Sequence, residues 1–108
     1  MTIVHIVMFH FPPSIPKEVT KAVITELKTK CLHPTTQKPY ILSYKAGVDC
    51  SCEGRQDGIS HTFVMEFENL EDRNYYVGED PVHLEFVKSM NGKGAEKVQV
   101  TDFVVGEY

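Results

Sequence analysis

Apolar and polar positions along the first eleven residues place bulky side chains on both faces of one extended segment. Ile3, Val7, Phe9 and Phe11 share a side with His5, and Val4, Ile6 and Met8 occupy the other. The β-branched and aromatic content favours a strand, which Pro12-Pro13 ends. A strand apolar on both sides needs cover on each.

The following pattern changes period. From Ser14 or Pro16, a helix is predicted in which Val19, Val23, Leu27 and Cys31 recur every four residues, while Lys17, Glu18, Lys21, Glu26 and Lys28 fall largely elsewhere. After a loop from His33 to Pro39, residues Ile41 to Val48 alternate and put Leu42, Tyr44, Ala46 and Val48 on one face of a second strand. Asp49 to Ser60, with Gly54 and Asp57-Gly58, reads as a hairpin-type connection to a third strand, His61 to Glu68, whose His61, Phe63, Met65 and Phe67 face one way. Asn69 is suited to cap a short helix through Glu71, Asp72, Tyr75 and Tyr76, which Gly78 interrupts. Asp80-Pro81 restarts it through Phe86, Val87 and Met90, and Asn91-Gly92-Lys93-Gly94 ends it. Val98 to Val105 is the last strand. The order β-α-β-β-α-β predicts an α+β fold with helices on one face of the sheet. The other face is bare yet apolar, which predicts an isologous homodimer with two sheets packed together.

Length and charge narrow the reading. A chain of 108 residues is expected to form a single domain over 1–108. With 11 Lys and Arg against 15 Asp and Glu and no basic cluster, nucleic acid is not an expected partner. No apolar run approaches the roughly 20 residues that span a bilayer, so no membrane is expected either. Three cysteines, an odd number without a secretory signal, suggest reduced thiols and a cytoplasmic protein.

Three histidines are placed to meet between sheet and helices: His5, His61 and His83. His83 falls in the first turn after the Asp80 cap, where the helix dipole disfavours the imidazolium, so a neutral ring is expected to act as general acid/base. Tyr76 supplies a hydroxyl able to hold a carbonyl or enolate oxygen. Val7, Phe9, Phe63, Met65, Phe86 and Val100 with His5 and His61 would line a cavity for a small, largely apolar, carbonyl-containing ligand. Against this, a histidine on an apolar strand is commonly a core residue bonded to backbone, and the His83 ring could merely pin its helix. Asp102 lies in an apolar strand; it either orients a histidine across the sheet or marks the emergence of the strand into solvent, and the second is expected. No metal site is expected: the histidines lack short ligand spacing, and the second strand would hold Cys31 about 30 Å from Cys50.

Val4 to Phe9, Ser60-His61-Thr62-Phe63 with Glu66-Phe67, Tyr76 followed by Asp80-Pro81-Val82-His83, and Val100-Thr101-Asp102-Phe103 together resemble the stress-responsive dimeric α/β-barrel (Dabb) family over nearly the whole chain. The resemblance implies a ferredoxin-like monomer with a four-stranded antiparallel sheet, closing a barrel in the dimer. Family members include heat-stable plant proteins and a plant polyketide cyclase that makes olivetolic acid. By similarity to that cyclase, His83 would be the base, Tyr76 its supporting tyrosine, and His5 and His61 pocket histidines. Asp80 stands where the cyclase motif has a histidine, and the Tyr76-to-His83 interval is one residue longer, a turn of about 100° on a continuous helix.

The leading expectation is thus a cofactor-independent cyclase or aldol-type enzyme on a polyketide-like carbonyl compound. A non-catalytic stress or binding protein is the first alternative, and a cofactor-free monooxygenase of the same barrel group the second. An open cavity reaching His83 would separate the first two, because a purely structural protein would fill that space with Phe9, Phe63, Met65 and Phe86.

Overall fold

The computed structural model describes residues 1–92 and 97–108, and the side chain of Val23 also lies outside the described residues. Four strands and three helices follow in the order β1 (Ile3–His10), α1 (Lys17–Lys30), β2 (Ser43–Val48), β3 (His61–Phe67), α2 (Leu70–Gly78), α3 (Pro81–Gly92) and β4 (Lys97–Val104). The strands form one antiparallel sheet ordered β2-β3-β1-β4. The fold is the α+β arrangement that the alternation of periods predicts. Lys93 and Gly94, expected to end the last helix, lie outside the described residues.

The core sits between sheet and helices. Ile3, Val7 and Phe9 of β1 and Phe63, Met65 and Phe67 of β3 are all buried there. Leu27 of α1 and Cys31 at its C-cap are buried in the same core, but Val19 is not: it is 38% exposed, and Thr20 and Ile24 take the buried positions. A 3.6-residue period drifts from a strict four-residue repeat, so the stripe that starts at Cys31 has rotated off Val19 three turns earlier. β2 starts at Ser43, two residues later than its apolar run suggests, because Ile41 turns inward and is buried while Leu42 is exposed. Tyr44 fastens this edge strand, donating its hydroxyl to the Ile24 carbonyl at 2.7 Å and stacking on Phe63.

Of the three predicted helix starts, Pro16 offers α1 no side-chain cap, whereas those of α2 and α3 are capped by side chains. Asn69 Oδ1 accepts from the Asp72 N–H at 2.8 Å, and Asp80 Oδ1 accepts from Val82 N–H at 2.9 Å. The chain turns between α2 and α3 where Glu79 and Asp80 both donate backbone N–H to the Tyr75 carbonyl. α1 packs over β2 and α2 over β3, and the rings of Tyr76 and Phe86 reach His5 and Phe9 of β1, whereas the helix-side face of β4 keeps Val98 and Val100 exposed. That uncovered strip bounds the main cavity.

Candidate functional site

A cavity of about 740 Å³ opens between β4 and the α2–α3 pair. Val7, Phe9, Phe63, Phe86, Met90 and Val100 form its apolar wall, and His5, His83, Asp102, Arg73 and Asn74 its polar one. Alternation on β1 puts His5 on the same face as Val7 and Phe9, and the antiparallel register sets His5 directly opposite Asp102. On α2, Arg73, Asn74, Val77 and Gly78 share the cavity-facing side through the helical period.

The polar wall is ordered by a chain of short contacts. His5 Nδ1 lies 2.7 Å from Asp102 Oδ1, and Arg73 Nη1 donates to Asp102 Oδ2 at 2.7 Å. Arg73 Nε in turn donates to Asn74 Oδ1 at 2.9 Å. Asp102 therefore does not mark the emergence of β4 into solvent, as expected from sequence. Its carboxylate is only partly exposed, and the penalty for burying it is offset by the guanidinium and the imidazole.

His83 stands differently. Its Nδ1 is buried and has no hydrogen-bond partner among the described residues. Burial lowers its pKa below the ordinary 6.5 and neighbouring His5 lowers it further, while the charge of Asp80 and a weak backbone hydrogen bond to Tyr76, longer or more bent than a well-formed one, oppose the shift. A neutral ring results, with a nitrogen lone pair able to take a proton. Asp80, 1% exposed, fixes the position of this ring: besides capping α3 it accepts from the Tyr40 hydroxyl at 2.5 Å. Asp80 also faces Cys31, whose thiol is pushed up to about 12 by burial first and by Asp80 second.

Of the residues expected at the site, His5, His83, Val7, Phe9, Phe63, Phe86 and Val100 are brought together. Met65 is not; it is wholly buried beneath the cavity wall. Nor is His61, which pairs with Phe9 and Val48 at the far end of β3 and lines a separate hollow with Lys17, Lys21 and Thr20. Its Nδ1 lies 2.8 Å from Ser60 Oγ, and burial lowers its pKa. Tyr76 is 0% exposed and sits in the core against Phe67 and His5, its ring centroid 4.1 Å from that of His83. The extra residue before His83 is not absorbed at Gly78 in a way that brings the phenol into the cavity wall; Tyr76 supports the His83 ring from behind. Burial pushes its pKa far up, so the phenol stays protonated. Arg73 and Asn74 are the residues that sequence patterns did not single out. Their i, i+4 relation to Val77 and Gly78 marks the helix face, but only the strand order shows that this face meets Asp102.

No curated protein matches the chain. Among solved structures, the Arabidopsis thaliana protein At3g17210 is similar, with a TM-score of 0.76 and 22% identity over 98% of this chain and 97% of that one. A hydroxynitrile lyase from Passiflora edulis has a TM-score of 0.74 and 20% identity, over 99% of this chain and 95% of its own. A dimeric ferredoxin-like protein of unknown function from Thermobifida fusca has a TM-score of 0.71 and 18% identity, over 97% and 92%. At these identities the likeness is one of fold. The model of the stress responsive A/B barrel domain (Dabb) matches residues 3–105, and the chain belongs to that family.

Proposed function

We propose that the protein is a homodimeric, cofactor-independent acid–base enzyme acting on a small, largely apolar carbonyl compound, with a polyketide-like substrate and ring closure as the leading case. The observation that carries this reading is His83: an imidazole whose pKa burial lowers, in the wall of an open apolar cavity of about 740 Å³. A purely structural protein does not need the cavity that Phe9, Phe63 and Phe86 line without filling.

In the proposed step, His83 removes a proton from the carbon beside a carbonyl. The C–H electron pair moves to the carbonyl oxygen as an enolate, whose carbon attacks a second carbonyl of the same molecule. A ring C–C bond forms, and the new alkoxide takes up a proton from the solvent or from a protonated imidazole. His5, not Tyr76, is the second polar group beside the reacting atoms. The same base could serve cleavage of a hydroxynitrile, the substrate class named for the Passiflora neighbour: it takes the hydroxyl proton, the C–CN bond breaks as the carbonyl forms, and the departing cyanide takes the proton back.

Wild type and His83→Ala are to be incubated with a panel of polyketide thioesters and hydroxynitriles and their products compared. The variant is expected to lose on the order of a hundredfold or more in kcat. Equal turnover of every accepted substrate would remove His83 from the chemistry.

A further inference from the structure

We propose that Arg73 is a positioning residue for His5: it holds one oxygen of Asp102 so that the other stays on His5 Nδ1, leaving Nε2 for proton exchange with the ligand. The proposal rests on the acid–base reading of the cavity for its catalytic consequence, though not for its structural one.

A neutral imidazole has two tautomers, and the hydrogen bond made by one nitrogen decides which is populated. For His5 that bond goes to Asp102. Asp102 is carried by β4, a sheet edge whose helix-side face is uncovered, as the exposure of Val98 and Val100 shows. A carboxylate on such a strand can rotate about its two side-chain torsions towards solvent. Arg73 restrains it. Its guanidinium is itself fixed, because Nε is engaged by Asn74 and Nη1 by Asp102 Oδ2. Both partners are partly buried, with side-chain exposures of 25% and 19%, so the contact is a charge-assisted bond and not a solvated surface pair.

The groups facing His5 are Asp102 from β4, Arg73 and Tyr76 from α2, and His83 from α3, with Phe67 of β3 packed edge-on. Among them only Arg73 can oppose the charge of Asp102 without competing for the imidazole. The cavity thus holds two differently prepared rings, His83 with a buried Nδ1 that no side chain engages and His5 with Nδ1 committed to Asp102. In this arrangement a ligand meets one defined nitrogen of His5 instead of a mixture.

Long-range ¹H–¹⁵N correlation of the imidazoles, at about pH 8 and thus above the ordinary histidine range, reads the tautomer of each ring directly. Wild type is expected to show His5 protonated on Nδ1. In Arg73→Ala and in the bulkier Arg73→Gln, the two nitrogen shifts should converge as both tautomers populate, and Arg73→Lys should recover most of the wild-type pattern. With any substrate that passes the His83 test, kcat should fall about tenfold while KM changes less than about twofold. Unchanged His5 nitrogens in folded Arg73→Ala or Arg73→Gln would overturn the proposal, as would a raised KM at constant kcat. Full turnover by His83→Ala beside a shifted His5 would refute the acid–base reading and leave the positioning role standing.

Discussion

His83 links the proposed chemistry of the cavity to the stability of the fold. Its pKa in the folded chain is depressed, first by burial and then by His5, whereas in the unfolded chain it returns to the ordinary 6.5. Below 6.5 the unfolded state therefore binds more protons, so this contribution to stability is fully present above 6.5 and is lost as pH falls towards the depressed folded value. Urea denaturation of wild type and His83→Gln as a function of pH should show wild type losing stability relative to the variant in that acid window, because the glutamine has nothing to protonate. Parallel curves would mean that the ring is solvated in the folded protein. His83 is legible in the sequence because its signal is local: a cap, a proline and a histidine within four residues. The Arg73–Asp102–His5 chain is not, since its members lie 29 and 97 residues apart and meet only once the strand order is fixed.

At the scale of elements, the break between α2 and α3 does the positioning. Asp80 caps α3 through Val82 and His83 N–H groups, and its other oxygen ties the helix start to Tyr40 in the loop before β2. Asp80→Ala removes the cap and leaves the buried Tyr40 hydroxyl unpaired, a combined loss of about 2–4 kcal/mol. Asp80→Asn keeps a capping oxygen and should cost clearly less. Equal losses in the two variants, measured by chemical denaturation, would show that the charge and not the cap carries the stability. Period and punctuation made these elements recognisable: strands β1 and β3 from alternation, α2 and α3 from Asn69, Gly78 and Asp80-Pro81. What they could not convey is rotation about an axis. Val19 lies off the buried stripe of α1, and Tyr76 points into the core, because a shift of one residue in a helix turns a side chain by about 100°.

For the whole molecule, the decisive feature is the sheet face away from the helices. Register places Val4, Ile6 and Met8 of β1 beside Val64 of β3 and Phe103 of β4 on that face, a contiguous apolar centre. No helix covers it among the described residues, and Phe103 alone is 48% exposed. Packing two such faces about a twofold axis would bury the strip without new elements and would close two sheets into a barrel. Ile6, at the middle of the central strand, would then appear twice near the axis. An Ile6→Asp substitution would bury two unpaired carboxylates and should weaken association at least on the order of a hundredfold. Val19→Asp adds the same charge on the outer surface of α1 and should leave association unchanged. Sedimentation equilibrium on the three proteins distinguishes the cases: a monomeric Ile6→Asp with a dimeric Val19→Asp places the interface on the sheet, whereas dimers throughout would move it elsewhere. The cavity lies on the opposite side of β1 from this strip, so a folded Ile6→Asp monomer should retain His5, His83 and Asp102 in place. The ring-nitrogen pattern of His5 in that monomer would show whether the site is built within one chain.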